Sequence, residues 1–229
     1  EKPAGRKPVK TEIISPASRT PMNSKIKTEI SNGRQVFIIV PAIKEGKNEE
    51  IKNVETEFKR LKRDFKGLRI LQLHGKMKSE EKEQVMADFL AKKADILLST
   101  TVIEVGVDIP NASVIVIENA DRFGLATLHQ LRGRVGRGDF PGTVYLASNA
   151  KRGSTARKRL AALEQTSDGA RLAELDLELR HEGETLGYRQ SGGTTLKISD
   201  LYADADLIEA AHMDALAITA QDPNLTSET

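Results

Sequence analysis

The stretch Val36–Val40, VFIIV, has no polar alternate anywhere along it, and this is the pattern of a strand buried on both faces. Such a strand needs a layer of structure on each side, which rules out a half-exposed antiparallel sheet. The runs Val9–Ile14, Arg69–Leu73, Asp95–Ser99, Val114–Glu118 and Thr143–Ala147 also read as strands. Helical segments lie between them. Thr20 is expected to cap a short helix with Pro21 at its first position, Met22, Ile26 and Ile30 at spacing four, and Gly33 as its stop. Residues 47–65 repeat Ile51, Val54, Phe58, Leu61 and Phe65 at spacings of three and four, behind a Lys/Glu-rich outer face. Ser79 is the expected cap of a third helix, with Glu80 and Glu81 at its positive end and Val85, Met86, Phe89 and Leu90 as its buried stripe. Alternating strands and helices predict an α/β fold, a parallel sheet with helices on both faces.

Composition narrows the class. The 229 residues can bury one core and a smaller appendage. No apolar run reaches the ~18 residues of a membrane span, so no membrane partner is expected. The absence of cysteine excludes a disulfide framework or a thiolate zinc site, and fits a cytoplasmic protein. Starting at Glu1 rather than Met, the chain is expected to be a piece of a longer one. Charge is unevenly placed. No Lys or Arg follows Lys197, and the seven acidic residues beyond it make that end −7. With the whole chain at +2, the preceding residues carry +9. A basic body of that kind suits a polyanion.

Open parallel sheets bind ligands at the carboxyl ends of their strands. His74-Gly75, Thr100-Thr101 and Glu118-Asn119 each follow an expected strand. The richest segment runs from Ser99 to Gly138. It holds the Thr pair, Gly106-Val107-Asp108, and the cluster Gln130-Leu131-Arg132-Gly133-Arg134-Val135-Gly136-Arg137, after a helix start expected at Thr127. A charge run is ordinarily a solvated face. Here glycines separate the arginines, a spacing that suits guanidinium forks held close to a polyphosphate.

The two clusters together resemble the fifth and sixth motifs of superfamily 2 helicases, ATP-driven nucleic-acid motors. That resemblance implies a RecA-like second motor lobe. It implies that Arg137 is the arginine finger for the γ-phosphate, with Arg134 beside it and Gln130 as a polar link to the nucleotide. By the same resemblance, Gly106 and Asp108 lie at the nucleotide, Asp108 on its ribose. Thr100, Thr101, Gly75 and Lys76 meet the DNA backbone, and Glu104 is a further member of that motif.

The run TTVIEVGVDIPNA, followed by ADRFGL and LHQLRGRVGRG, is similar to the RecG family of branch-migrating helicases. The similarity continues into Leu177–Gly192, which resembles a translocation motif shared with the transcription-repair coupling factor, a helical hairpin plus loop. It implies that Arg159, Arg180 and Gln190 form a hydrogen-bonded group coupling lobe closure to DNA movement. By residue pattern alone Ala170–Arg180 fits either strand or helix; the resemblance favours helix, with Glu182–Gly193 as loop. His181-Glu182 stands where the family usually has Gly-Pro, so the backbone is expected to differ there.

The expected organisation is a linker over 1–8, a RecA-like lobe over 9–148, a translocation hairpin and loop over 149–198, and an acidic helix and tail over 199–229. The implied function is an ATP-dependent 3′–5′ helicase or translocase acting on branched and duplex DNA in a bacterial cytoplasm. It would use ATP with Mg²⁺ and work as a monomer, with a wedge domain and first motor lobe of the same protein as partners. No G-x-x-x-x-G-K-[ST] loop or D-E-x-H box occurs in these residues, so this chain by itself is expected to be inactive. Three other readings stay open: the lobe of a transcription-repair coupling translocase, a non-enzymatic DNA-binding module, and a basic α/β domain with no nucleic-acid role, against which the paired motifs argue.

Overall fold

The computed structural model describes residues 9–42, 49–100, 109–138, 140–185 and Thr219. Six strands form one sheet: β1 Val9–Ile14, β2 Gln35–Val40, β3 Ile70–Leu73, β4 Ile96–Thr100, β5 Ala112–Ile117 and β6 Gly142–Ala147. Their order is β1-β6-β5-β2-β4-β3, and every pairing is parallel. The helices are α1 Arg19–Ser31, α2 Glu49–Asp64, α3 Ser79–Leu90, α4 Leu125–Arg132, α5 Thr155–Gln165 and α6 Gly169–Thr185. The chain divides into two compact units, Glu1–Leu179 and Arg180–Thr229. The sheet lies in the first. Of the second, the described residues are the last turns of α6 and Thr219.

The two-sided burial read from VFIIV is visible residue by residue. Successive side chains of a strand point to opposite faces. Val36, Ile38 and Val40 join a cluster with Met22 and Ile26 of α1 and with Val54, Leu61 and Phe65 of α2. Phe37 and Ile39 join the opposite cluster, with Phe89 of α3, Leu125 and Leu128 of α4, Leu160 and Leu163 of α5, and Leu172 of α6. Helices thus cover both faces, as the fold class required. In α3 Phe89 is fully buried, but Leu90 is 45% exposed. Leu90 lies about 100° further round the helix, so it turns out of the expected stripe.

Helix starts differ from the expected caps. α1 begins at Arg19 after a 3-10 turn over Pro16–Ser18, so Thr20 and Pro21 lie inside its first turn. Ser79 is the first residue of α3, not its cap. The Lys78 N–H there donates to the Glu81 carboxylate at 3.1 Å. α4 begins at Leu125, two residues before Thr127. α5 begins at Thr155 behind the cap Ser154, whose hydroxyl accepts from the Arg157 N–H at 3.2 Å. Residues 182–185, expected in a loop, continue α6.

Glu118 anchors the carboxyl edge of the sheet. Its carboxylate, 6% exposed, takes both Nη atoms of Arg19 at 2.7 and 2.5 Å and Nη2 of Arg60 at 3.0 Å. Arg60 is itself held by Glu57 and Asp64. One buried carboxylate at the end of β5 therefore ties α1 and α2 to the strand ends, and the pairing charges offset its desolvation.

Candidate nucleotide and nucleic-acid site

The β3–β4 register pairs Leu73 with Ser99. The next residues, His74 and Thr100, are therefore neighbours at the carboxyl edge. Thr100, expected just beyond its strand, is the last residue of β4 and fully buried. Its Oγ1 and the His74 Nδ1 are both buried without a hydrogen-bond partner. Orphaned polar atoms on two neighbouring residues at a sheet edge are unusual, because an unpaired buried polar group costs about 1–3 kcal/mol. Beside them the chain turns, with the Met77 N–H on the His74 carbonyl and Lys82 Nζ on the Gly75 carbonyl at 2.9 Å. Gly75 and Lys76 are exposed on this turn, and Lys76 makes no ion pair among the described residues. Gly75, Lys76 and Thr100 are thus brought to one edge.

The arginine cluster lies on α4 and the turn that follows it. Gln130 is exposed, Arg134 half-buried and Arg137 exposed. Arg137 Nε donates to the Gly133 carbonyl at 2.7 Å, which folds its side chain back over the helix end. The Arg134 guanidinium has no partner among the described residues. The glycines of the cluster have a role the spacing alone did not reveal. Gly136 has φ +71°, and a Cβ there would sit 2.9 Å from Val9 Cγ2. A Cβ on Gly138 would lie 2.4 Å from the Pro110 carbonyl oxygen. Both are needed for the turn to pack against its own chain.

Arg132 is the residue that sequence reasoning passed over. It is 6% exposed. Its Nη1 donates to the Leu163 and Thr166 carbonyls at 2.8 and 2.7 Å, and its Nη2 meets His129 Nδ1 at 2.8 Å. The two carbonyls belong to the end of α5, where a helix leaves its last C=O groups without internal partners. His129 in turn lies against the start of α6, with Nε2 3.2 Å from where a Gly169 Cβ would be. Arg132 and His129 therefore clasp the arginine-bearing helix to the α5–α6 hairpin. The signal was present: Arg132 continues the Leu125, Leu128 spacing of three and four, and so falls on the buried face.

Within the hairpin, Arg159 Nε lies 3.7 Å from Asp176 Oδ1 of α6. That contact is too long for a hydrogen bond, and Arg159 Nε is otherwise unpartnered. Arg180 belongs to α6, but its side chain is outside the described residues. Thr101, Glu104, Gly106, Asp108 and Gln190 also lie outside them, as do residues 1–8 and, apart from Thr219, the acidic helix and tail expected over 199–229. Among the described residues no cluster of three His, Cys, Asp or Glu could hold a metal ion, and no helix is long and apolar enough to cross a membrane.

Residues 21–139 match the helicase conserved C-terminal domain. The ATP-dependent DNA helicase RecG of Synechocystis sp. is 46% identical over 98% of this chain and 27% of its own length. That of Bacillus subtilis is 41% identical over 97% of this chain and 33% of its own. Among solved structures, RecG bound to a three-way DNA junction superposes with a TM-score of 0.69 at 39% identity, covering 91% of this chain and 27% of that one. The second domain of the DEAD-box helicase Mss116p, at 22% identity and TM-score 0.52 over 75% of this chain and 68% of that one, shares the fold. The chain spans about a third or less of the length of these RecG relatives. By the domain match, the sheet order and the relatives' identity along nearly its whole length, the chain belongs to the helicase conserved C-terminal domain family as a RecG-type C-terminal lobe.

Proposed function

We propose that this chain is the second motor lobe of an ATP-dependent 3′–5′ DNA helicase or translocase that remodels branched DNA in recombination and repair. In this reading Arg137 and Arg134 reach across a cleft to nucleotide held by a first lobe. Gln130, Gly106 and Asp108 line the same side. ATP with Mg²⁺ supplies the phosphoryl chemistry when bound. The residues present suit the group: Arg134 has no partner among the described residues, and Arg137 is exposed on the same turn, so the turn offers guanidinium forks of the shape that phosphate oxygens take. Gly75, Lys76, Thr100 and Thr101 take the DNA backbone, where the orphaned Thr100 and His74 atoms await polar partners.

The observation that carries the reading is the Arg132 clasp. It joins α4, which leads directly into the turn bearing Arg134 and Arg137, to the hairpin expected to move DNA. Lobe closure on nucleotide would thereby reposition α5 and α6, with Arg159, Arg180 and Gln190 passing the shift to the loop. The lobe spans 9–148 and the hairpin and loop 149–198. The clasp also favours a motor over a passive DNA-binding module, which needs no such joint. The RecG structure on a three-way junction supports branched DNA as substrate. A chromosomal substrate in bacteria sets the work in the cytoplasm, by a monomer whose first lobe and wedge belong to the same protein.

The test is Arg137→Ala in a complete motor, with a first lobe carrying a phosphate loop joined ahead of this chain. An arginine finger contributes about 10³–10⁵ in turnover. DNA-stimulated hydrolysis should fall by at least about 10³ while DNA binding stays within roughly twofold. Retained hydrolysis would remove the finger assignment.

A further inference from the structure

The carboxyl edge of the sheet carries a second cationic surface, away from the His74–Thr100 corner. β5 is followed by a 3-10 turn over Ala120–Arg122, and its parallel neighbour β6 by the turn that leads into α5. The Ser148 hydroxyl donates to the Asp121 carboxylate and so fastens the two turns together. Ser154 closes the second turn with both its N–H and its hydroxyl on the Lys151 carbonyl. Gly153, at φ +83°, permits that tight geometry.

Four basic side chains result on this surface. Arg122, Lys151 and Arg152 are exposed and Arg157 is half-buried. None has an acidic partner among the described residues. Residues 148–158 contain no acidic side chain. The two carboxylates of the neighbouring turn are already engaged, Glu118 by two arginines and Asp121 by Ser148. Several basic groups elsewhere in this fold are paired: Arg69 with Asp95, Lys93 with Asp88, Arg34 with Glu29. Four unpaired like charges around one edge repel one another and create a positive field that a polyanion relieves.

We infer that Arg122, Lys151, Arg152 and Arg157 form a second phosphate-backbone contact, fitted to duplex DNA. The inference rests on the motor reading above and adds a surface that reading does not contain. Sheet geometry favours a duplex over a single strand. From the end of β4, where Thr100 lies, to the end of β6 is three strand spacings, about 14 Å. That is close to the ~12 Å width of the major groove of B-DNA. One cationic site can therefore meet each strand across the groove. Contacts of this type position the duplex without reading its sequence.

The test measures binding of this chain to a labelled blunt duplex and to a single strand of equal length, over a range of salt concentrations. The variant carries Arg122→Gln, Lys151→Gln, Arg152→Gln and Arg157→Gln. Each phosphate contact contributes about 0.9 to the slope of log affinity against log salt. The duplex slope should flatten by about 3–4, with the single-strand slope unchanged. Replacing the three arginines with lysine, which keeps the charges, should preserve the original slope and so separate charge from folding. An unchanged duplex slope, or equal losses on both substrates, would overturn the inference. Lys76→Gln, tested in parallel, reports on the other corner: it should flatten both slopes by about 0.7–0.9. Its failure would count against the first DNA site alone.

Discussion

At the residue scale the electrostatics of the core have a measurable consequence. Tyr145 of β6 is 3% exposed, and burial, reinforced by the charges of Glu12 and Glu29, pushes its phenol up to about 12 from an ordinary 10.0. A phenol that ionises later in the folded state than in the unfolded state stabilises fully below pH 10. That contribution fades as pH rises through 12, by up to about 2–3 kcal/mol. Tyrosinate absorbance should show one of the three tyrosines titrating near pH 12, with the melting temperature falling steeply between pH 10 and 12. Tyr145→Phe should remove the late component and flatten the melting profile. Simultaneous titration of all three near pH 10 would contradict the burial argument. Single residues also mark where sequence reading stopped short. Arg132 stands among arginines proposed to meet phosphate, and residue type gave no reason to single it out. Only the helical phase set by Leu125 and Leu128 places it inside. The cluster's glycines were legible as special positions, but not as partners of Val9 and Pro110, which lie far away in the chain.

At the scale of elements, the sequence located all six strands to within one or two residues; all but β1, which holds Lys10, Thr11 and Glu12, are short, mainly apolar runs that burial explains. Helix ends were less legible. Thr20, Ser79 and Thr127 are good capping types, yet the structure starts these helices at Arg19, Ser79 itself and Leu125. Tertiary packing and the Glu81 carboxylate settle the first turns instead. α6 shows the reverse case. Gly-Pro at 181–182 would break a helix, since proline lacks the N–H and clashes with the preceding turn. His181-Glu182 imposes no such break, and α6 continues to Thr185. The joint between α4 and α5 carries this scale's prediction. Arg132→Met removes a donor to one buried and one half-buried carbonyl and should cost about 1.5–3 kcal/mol of stability. In the complete motor it should spare most ATP hydrolysis while reducing unwinding of branched DNA at least about tenfold, a loss near 1.4 kcal/mol in coupling. Parallel loss of both activities, or of neither, would show that the clasp does not transmit motion.

For the whole molecule, the alternation of strands and helices fixed the architecture, and strand-end placement put Gly75, Lys76 and Thr100 at the carboxyl edge of the sheet, where the structure has them. Which residues on that edge lack partners was not legible, because satisfaction of a polar atom depends on neighbours distant in sequence. His74 and Thr100 come together only through the β3–β4 register. Arg122 and Lys151 come together only because β5 and β6 are adjacent. As proposed, this chain is half of a motor, donating arginines to a nucleotide it does not hold alone. The most direct measurement is ATP hydrolysis by this chain alone, then mixed with a lobe carrying the phosphate loop, each with and without branched DNA. A half-motor should show no turnover alone and DNA-stimulated turnover in the mixture, abolished by Arg137→Ala. Turnover by the chain alone would contradict it.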